Sequence, residues 1–337
     1  MASLDIGIDL GTANIIITMI NKGIVLNEPS VVAFNKKTNS VVAVGKDAYE
    51  MLGRTPEYIV AIRPLSEGVI SDHNMTEEMI NAFILKVCGK QLLKPRIVLC
   101  VPSLITDVES RAVVEAARHA GARKVFLLQE PIAALIGAGV DIAEASGHIV
   151  VDIGGGTTDV AVISLNGIVK STSLKIAGNK IDQAIIKYIT NRFKVLIGEK
   201  TAELLKKSVT DYFEPSAELF TLAKGRNLLN GLPEKIQISD LDVYNAIVEP
   251  VYEIIHALKS VLEVTPPELV GDIYSNGVLL TGGGALLNGL DKIISKETGI
   301  KCIVADDPIA CVARGTGLAF NMLDKLLDGF QSISAYN

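Results

Sequence analysis

Two segments of this chain repeat one uncommon pattern. Residues 5–20 read DIGIDLGTANIIITMI and residues 149–163 read IVVDIGGGTTDVAVI. Each is an apolar run, an aspartate, a short Gly/Thr bend and a second β-branched run. One glycine-rich turn implies no more than a hairpin, because glycine takes positive φ at no steric cost. Its recurrence nearly half a chain away, with Asp9 aligned on Asp152, implies an internal duplication. At 337 residues there is room for about two domains of ordinary size.

The rest of the pattern fits two α/β halves. Strand-like runs at 4–10, 15–20, 29–34, 41–44, 96–101, 125–128, 149–153 and 159–164 alternate with helical periodicity. Met79, Ile80, Phe83, Ile84 and Val87 mark one helical face over 76–89. Thr106 and Glu109 give the T-x-x-E start of a second helix over 107–120, which Gly121 stops. Further helices are expected at 132–139, 180–194, 243–263, 285–297 and 309–327. Residues 29–64 and 178–248 are less regular and read as one inserted subdomain in each half. No low-complexity linker separates the halves, so they are expected to pack around a shared cleft.

Two such bends facing each other have a specific use. A Gly/Thr bend turns successive backbone N–H groups inward as an anion nest. Two of them would grip a polyphosphate, with Asp9 and Asp152 beside a divalent cation. Magnesium takes only one or two carboxylates and keeps several waters, so two acids suffice. A third glycine cluster, VLLTGGGALLNGL at 278–290, reads as a strand, three glycines and a helix whose backbone approaches a nucleoside. It lacks the G-x-G-x-x-G spacing, and no P-loop motif occurs anywhere. In VFLLQEPIAA at 125–134, Pro131 suits the first helical turn and places Glu130 at a strand-to-helix junction. There it would either orient a water for in-line attack or complement the helix dipole.

Composition excludes other classes. The net charge of −6 argues against a general nucleic-acid binder. Asp5 and Asp9 interrupt the opening apolar run, so no signal peptide is expected, and no stretch reaches the length of a spanning helix. Cys88, Cys100, Cys302 and Cys311 show no CxxC and read as reduced thiols, in keeping with a cytoplasmic protein. The four histidines have no ligand spacing.

The segments DLGTAN, NEPSVVA, RPLSEGVISD, VPSLITDVESRAVVEAARHAGARKVFLLQEPIAALIGAG, VVDIGGGTTDVAVISL, VEPVYEIIHALKSVLEVTPPEL, VLLTGGGALLNGLD and DPIACVARGTG, in order over about residues 4–327, resemble the MreB family of bacterial actins. The resemblance implies the actin-like fold: two similar α/β domains, each with a smaller inserted subdomain, and ATP or ADP with Mg²⁺ in the cleft between them. Domain I would comprise 1–137 plus 316–337, and domain II 138–315. Gly11, Thr12, Ala13 and Asn14 would form the first phosphate loop, and Gly154, Gly155, Gly156 and Thr157 the second. Gly282, Gly283, Gly284 and Ala285 would lie against the adenosine. Glu130, assisted by Thr157, would position the attacking water. Glu203 and Lys206 in EKTAELLKK match the segment closing over ribose and adenine; an exposed charged helix accounts for them equally.

The same resemblance implies self-assembly into protofilaments, paired antiparallel, on the inner face of the cell membrane, with transmembrane adaptors of cell-shape complexes among the partners and no nucleic acid. Membrane contact would fall to QLLKPR, where Leu92 and Leu93 sit among Lys90, Lys94 and Arg96 and fit an anionic leaflet. Starting the strand RIVLCV explains the two leucines nearly as well. Departures from the family pattern are Gln129, Asp159 and Asn179, where acid, glutamate and aspartate are usual. The expected function is a slow, polymerisation-coupled ATPase controlling cell shape. The alternatives are a small-molecule kinase, which needs an aspartate base and an acceptor pocket, and a chaperone-type ATPase, which needs a substrate domain.

Overall fold

The computed structural model describes residues 5–89, 94–209, 212–215, 218–322 and 330–332. The first half opens with an antiparallel meander of β1 (Asp5–Leu10), β2 (Asn14–Met19) and β3 (Gly23–Pro29). The chain then leaves to build a small sheet from β4 (Val32–Asn35), β5 (Ser40–Val44) and β6 (Ile59–Ile62), with α1 (Lys46–Met51) between the last two. A short hairpin of β7 (Leu65–Ser66) and β8 (Val69–Ile70) leads to α2 (His73–Cys88), β9 (Arg96–Val101), α3 (Asp107–His119), β10 (Lys124–Gln129) and α4 (Glu130–Gly137). β9 joins β1 in parallel and β10 joins β9, giving the order β10-β9-β1-β2-β3.

The second half repeats this plan. β11 (His148–Ile153), β12 (Thr158–Ser164) and β13 (Gly167–Leu174) form the meander. An inserted unit follows: α5 (Gly178–Phe193), β14 (Val195–Leu196), α6 (Glu199–Val209), β15 (Phe220–Asn227) and β16 (Pro233–Ser239). Then come α7 (Asp240–Glu263), α8 (Pro267–Asn276), β17 (Val278–Thr281), α9 (Leu290–Thr298) and β18 (Cys302–Val304). The sheet order β13-β12-β11-β17-β18 matches β3-β2-β1-β9-β10 strand for strand. α10 (Cys311–Ala319) crosses back to the first half, and β19 (Phe330–Ser332) pairs antiparallel with β10. The repeated glycine bends therefore mark a repeated topology.

Local chemistry explains where several elements begin. Glu109 N–H donates to Thr106 Oγ1 at 3.2 Å and Thr106 N–H to Glu109 Oε2 at 2.8 Å, closing the capping box of α3. Ser239 and Asp242 cap α7 in the same way. The strand expected over 29–34 is instead the end of β3 and the start of β4. Ser30 breaks it, because its N–H donates to Ala13 O at 2.9 Å and its hydroxyl to Gly11 O at 2.5 Å, pinning the chain to the first glycine bend.

Each half has its own core, around Ile6, Phe83 and Ile97 in the first and Val151, Ile185 and Ile254 in the second. A third core joins them: Val98 and Leu128 of one sheet, Val150 and Ile163 of the other, and Ile132 and Val312 from α4 and α10. No helix among the described residues is long and apolar enough to cross a membrane.

Candidate nucleotide site

The carboxyl ends of β1, β10, β11 and β17 carry Asp9, Glu130, Asp152 and the third glycine cluster to one region, where open α/β sheets gather ligands. The two glycine bends touch there. A Cβ on Gly155 would stand 2.6 Å from Ala13 Cβ and 3.0 Å from Ala13 N; one on Gly156 would stand 2.4 Å from Thr12 Oγ1. Both glycines are thus required by the opposing bend before any ligand is considered. Gly11 and Gly154 keep the bends tight: a Cβ on Gly11 would meet Asn14 O at 2.6 Å, and Gly154 N–H donates to Thr157 O at 2.9 Å. Asn14 turns its amide to Asn27 Oδ1 at 3.1 Å, so its side chain serves β2–β3 pairing. The N–H groups of Gly178 and Asn179 take the carbonyls of Gly154 and Gly155 at 3.1 and 2.8 Å, turning those oxygens toward the start of α5.

The third cluster differs from its expected form. A 3₁₀ turn spans Gly283–Leu286, and the α-helix begins only at Leu290. Consecutive glycines are poor helix formers, and packing on β11 sets their shape. Gly282 has φ +77°, and a Cβ there would stand 2.4 Å from Ile153 O; one on Gly284 would stand 2.2 Å from Ile153 Cγ2. Ala285 is buried in the second core. A Cβ on Gly283 would meet nothing within 4 Å, so this glycine has no packing partner that excludes a side chain.

Four carboxylates share the cleft floor. Burial, then the charge of Asp152, pushes the Asp9 carboxyl up to about 8. Burial pushes Asp152 up to about 7, the Thr281 hydroxyl opposing it by donating to Asp152 Oδ1 at 2.6 Å and Asp159 adding to the rise. Glu130 is held well above the usual carboxylate range by burial first and then by Asp159, Asp152 and Asp9. Two mutually repelling acids beside two glycine bends, Asp152 buried and Asp9 half-buried, fit a hydrated divalent cation between protein and phosphate. Among the described residues there is no group of three or more His, Cys, Asp or Glu side chains that could hold a metal.

This electrostatic strain has a measurable sign in nucleotide-free protein. Unfolded, Asp9 and Asp152 ionise near their ordinary value of 3.8; folded, they keep their protons to about 8 and 7. The resulting penalty is absent below about pH 4, grows with rising pH, and levels off above about pH 8. The melting temperature should therefore fall between about pH 4 and pH 8, and Asp9→Asn should flatten that fall. A slope identical in wild type and variant would contradict the strained pair.

Lys206 lies at the second bend: its Nζ donates to Gly178 O at 3.1 Å and pairs with Asp182 at 2.8 Å. Glu203 sits on the same helix, α6, and accepts from the Tyr49 hydroxyl at 3.1 Å, while Lys200 Nζ donates to Tyr49 O at 2.6 Å. These bonds cross from the α6 unit to α1 of the opposite half. Leu92 and Leu93 lie outside the described residues.

Sequence reasoning missed five contributors. Thr281 and Ser103 act through tertiary bonds, and Asp159, fully buried, accepts from the Ser103 N–H at 2.8 Å and from its hydroxyl. Tyr49 carried no local signal. Gly68 did: Glu67 (φ 51°) and Gly68 (φ 76°) are the two-residue turn of the β7–β8 hairpin. Gly68 N–H donates to Thr12 Oγ1 at 3.2 Å, and a Cβ there would stand 2.6 Å from Thr157 Cγ2.

Comparison with known proteins finds relatives over nearly the whole chain. The family model for MreB/Mbl protein matches residues 3–328. The chain is 51% identical over 327 residues to the cell shape-determining protein Mbl of Bacillus subtilis, covering 97% of this chain and 98% of that one. It is 50% identical over 331 residues to the cell shape-determining protein MreB of Escherichia coli, covering 96% and 95%. Crystal structures of MreB5 of Spiroplasma citri, bound to ADP and to AMPPNP, superpose with a TM-score of 0.91 at 37% identity, covering 96% of this chain and 98% of that one.

Proposed function

The chain belongs to the MreB/Mbl family, and from that premise we propose that it is an ATP-driven filament protein of cell-shape control working on the inner membrane face. The observation carrying this reading is the contact between Thr12–Ala13 and Gly155–Gly156, which sets two backbone nests against each other across one cleft. The bends grip the phosphates; Asp9 and Asp152 would hold Mg²⁺, which supplies charge neutralisation. Gly282–Gly284 back the nucleoside side, and Lys206 adds a cation at the second bend. Glu130 orients the attacking water, with Thr157 beside it.

The bonds crossing between halves suggest how nucleotide reaches the polymer. Ser103 with Asp159 at the cleft floor, and Tyr49 with Glu203 and Lys200 at the inserted units, join the halves on either side of the proposed phosphate site. A ligand gripped between the halves biases their relative position, and filament contacts read that position. Binding of ADP or AMPPNP by MreB5 supports a nucleotide in this cleft. Sedimentation with ATP, ADP or no nucleotide tests the proposal: an ATP-dependent pellet containing filaments by electron microscopy is the expected result, and protein that stays in the supernatant under all conditions would refute it. Family membership counts against the kinase and chaperone alternatives.

Membrane contact through Leu92 and Leu93 belongs to the same proposal. Two leucines per subunit entering the leaflet would give weak affinity, which repetition along a filament multiplies. Replacing both with serine should cut co-pelleting with anionic vesicles at least about tenfold under polymerising conditions. Undiminished pelleting would assign the membrane contact elsewhere.

A further inference from the structure

Asp159 has no part in the phosphate grip proposed above, yet it is among the most constrained side chains in the cleft. It faces Asp152 across the β11–β12 pair and is completely buried. Its Oδ1 is clamped by the N–H and hydroxyl of Ser103, which reaches over from the β9–α3 connection of the other half. Its Oδ2 has no hydrogen-bond partner. A buried carboxylate oxygen left unpaired costs free energy unless something completes it. The hydroxyls of Ser173 and Thr157 lie near enough to favour the charged form, without forming a bond to Oδ2. Beside them opens a cavity of about 110 Å³, lined by Gly68, Pro102, Thr157 and Ser173, large enough for a few waters.

We infer that Asp159 is a positioning residue for hydrolysis: clamped by Ser103 from the first half, it offers its free Oδ2 to the Thr157 hydroxyl and to water entering from this cavity, and so fixes the water that Glu130 orients. The inference rests on the ATPase reading and goes beyond it in assigning a role to Ser103 and Asp159. Because clamp and carboxylate come from opposite halves, water is ordered only when the halves are in register. The clamp thereby makes turnover depend on closure of the cleft.

Steady-state phosphate release against ATP concentration, with Mg²⁺, tests this on the full chain, alongside ADP affinity and thermal melting. Asp159→Asn should lower kcat about 10- to 100-fold with KM and ADP affinity changed by less than about twofold. Asp159→Glu should recover much of the loss. Ser103→Ala, which keeps the backbone donor, should cost less, and should add nothing in the Asp159→Asn background. A variant kcat within about twofold of wild type, a fall matched by equal loss of ADP affinity, or an Asp159→Glu variant no better than Asp159→Asn would overturn the assignment. Glu130→Ala in the same assay separates the two levels. If wild type releases phosphate no faster than Glu130→Ala, the hydrolytic reading falls and this inference with it. If those two differ while Asp159→Asn equals wild type, only the role of Asp159 falls.

Discussion

Replacing Glu130 with alanine should slow phosphate release from ATP by about 10²- to 10⁴-fold and leave nucleotide affinity nearly unchanged. The expectation follows from position and environment together. Glu130 is the first residue of α4, directly after β10, with Pro131 in the first helical turn. Its carboxyl lies among Asp159, Asp152 and Asp9, whose charges, added to burial, raise its basicity well above that of an ordinary glutamate. A more basic carboxylate is the better acceptor for a proton leaving an attacking water. The competing role, complementing the dipole of α4, is worth only about 0.3–1 kcal/mol and acts on stability. Glu130→Gln separates the two. It keeps the side chain's shape and polarity but cannot take a proton, so it should be as slow as alanine. Wild-type turnover in either variant, accompanied by a lower melting temperature, would leave Glu130 with the helix dipole alone.

What could be read from the sequence was whatever depends on near neighbours. The T-x-x-E box of α3, the apolar face of α2 and the two Asp–Gly–Thr bends are short-range patterns, and each bend's chemistry is complete within a few residues. The pairing of the bends across one cleft came from their recurrence and from the lack of a linker between the halves, and resemblance to a known family pointed the same way. The rest depended on partners far along the chain. Ser30 breaks a strand because of bonds to Gly11 and Ala13. The third glycine cluster makes a 3₁₀ turn because Ile153 presses on Gly282 and Gly284. Asp159 looked like a minor departure from a family pattern; its burial and its clamp from Ser103 exist only once the halves meet. Tyr49 and Glu203 are separated by 154 residues and by the cleft itself.

Replacing Gly137 with alanine should destabilise the protein by about 2–4 kcal/mol, more than one added methyl costs at most sites. α4 and α10 cross at the junction of the halves, and each meets the other's backbone at a glycine. A Cβ on Gly137 would lie 1.8 Å from Cys311 O, and one on Gly315 would lie 1.9 Å from Ala133 O. Ordinary contact needs well over an ångström more, so either change forces whole helices apart, because no flexible side chain can yield. Separation also loosens what the crossing holds: the shared core of Ile132, Ile136, Val312 and Ala319, and the Arg314 bond from Nε to Gly137 O at 3.1 Å. Gly271→Ala is the matched control. It lies inside α8 with nothing within 4 Å of an added Cβ, and should stabilise by about 0.5–1 kcal/mol through helix propensity. Thermal denaturation of the three proteins decides the matter, and a Gly137→Ala protein as stable as wild type would contradict the close crossing. The same crossing bears on function, because α4 starts at Glu130 and ends against α10. A protein in which those helices are pushed apart should lose turnover along with stability, whereas Glu130→Ala loses turnover alone.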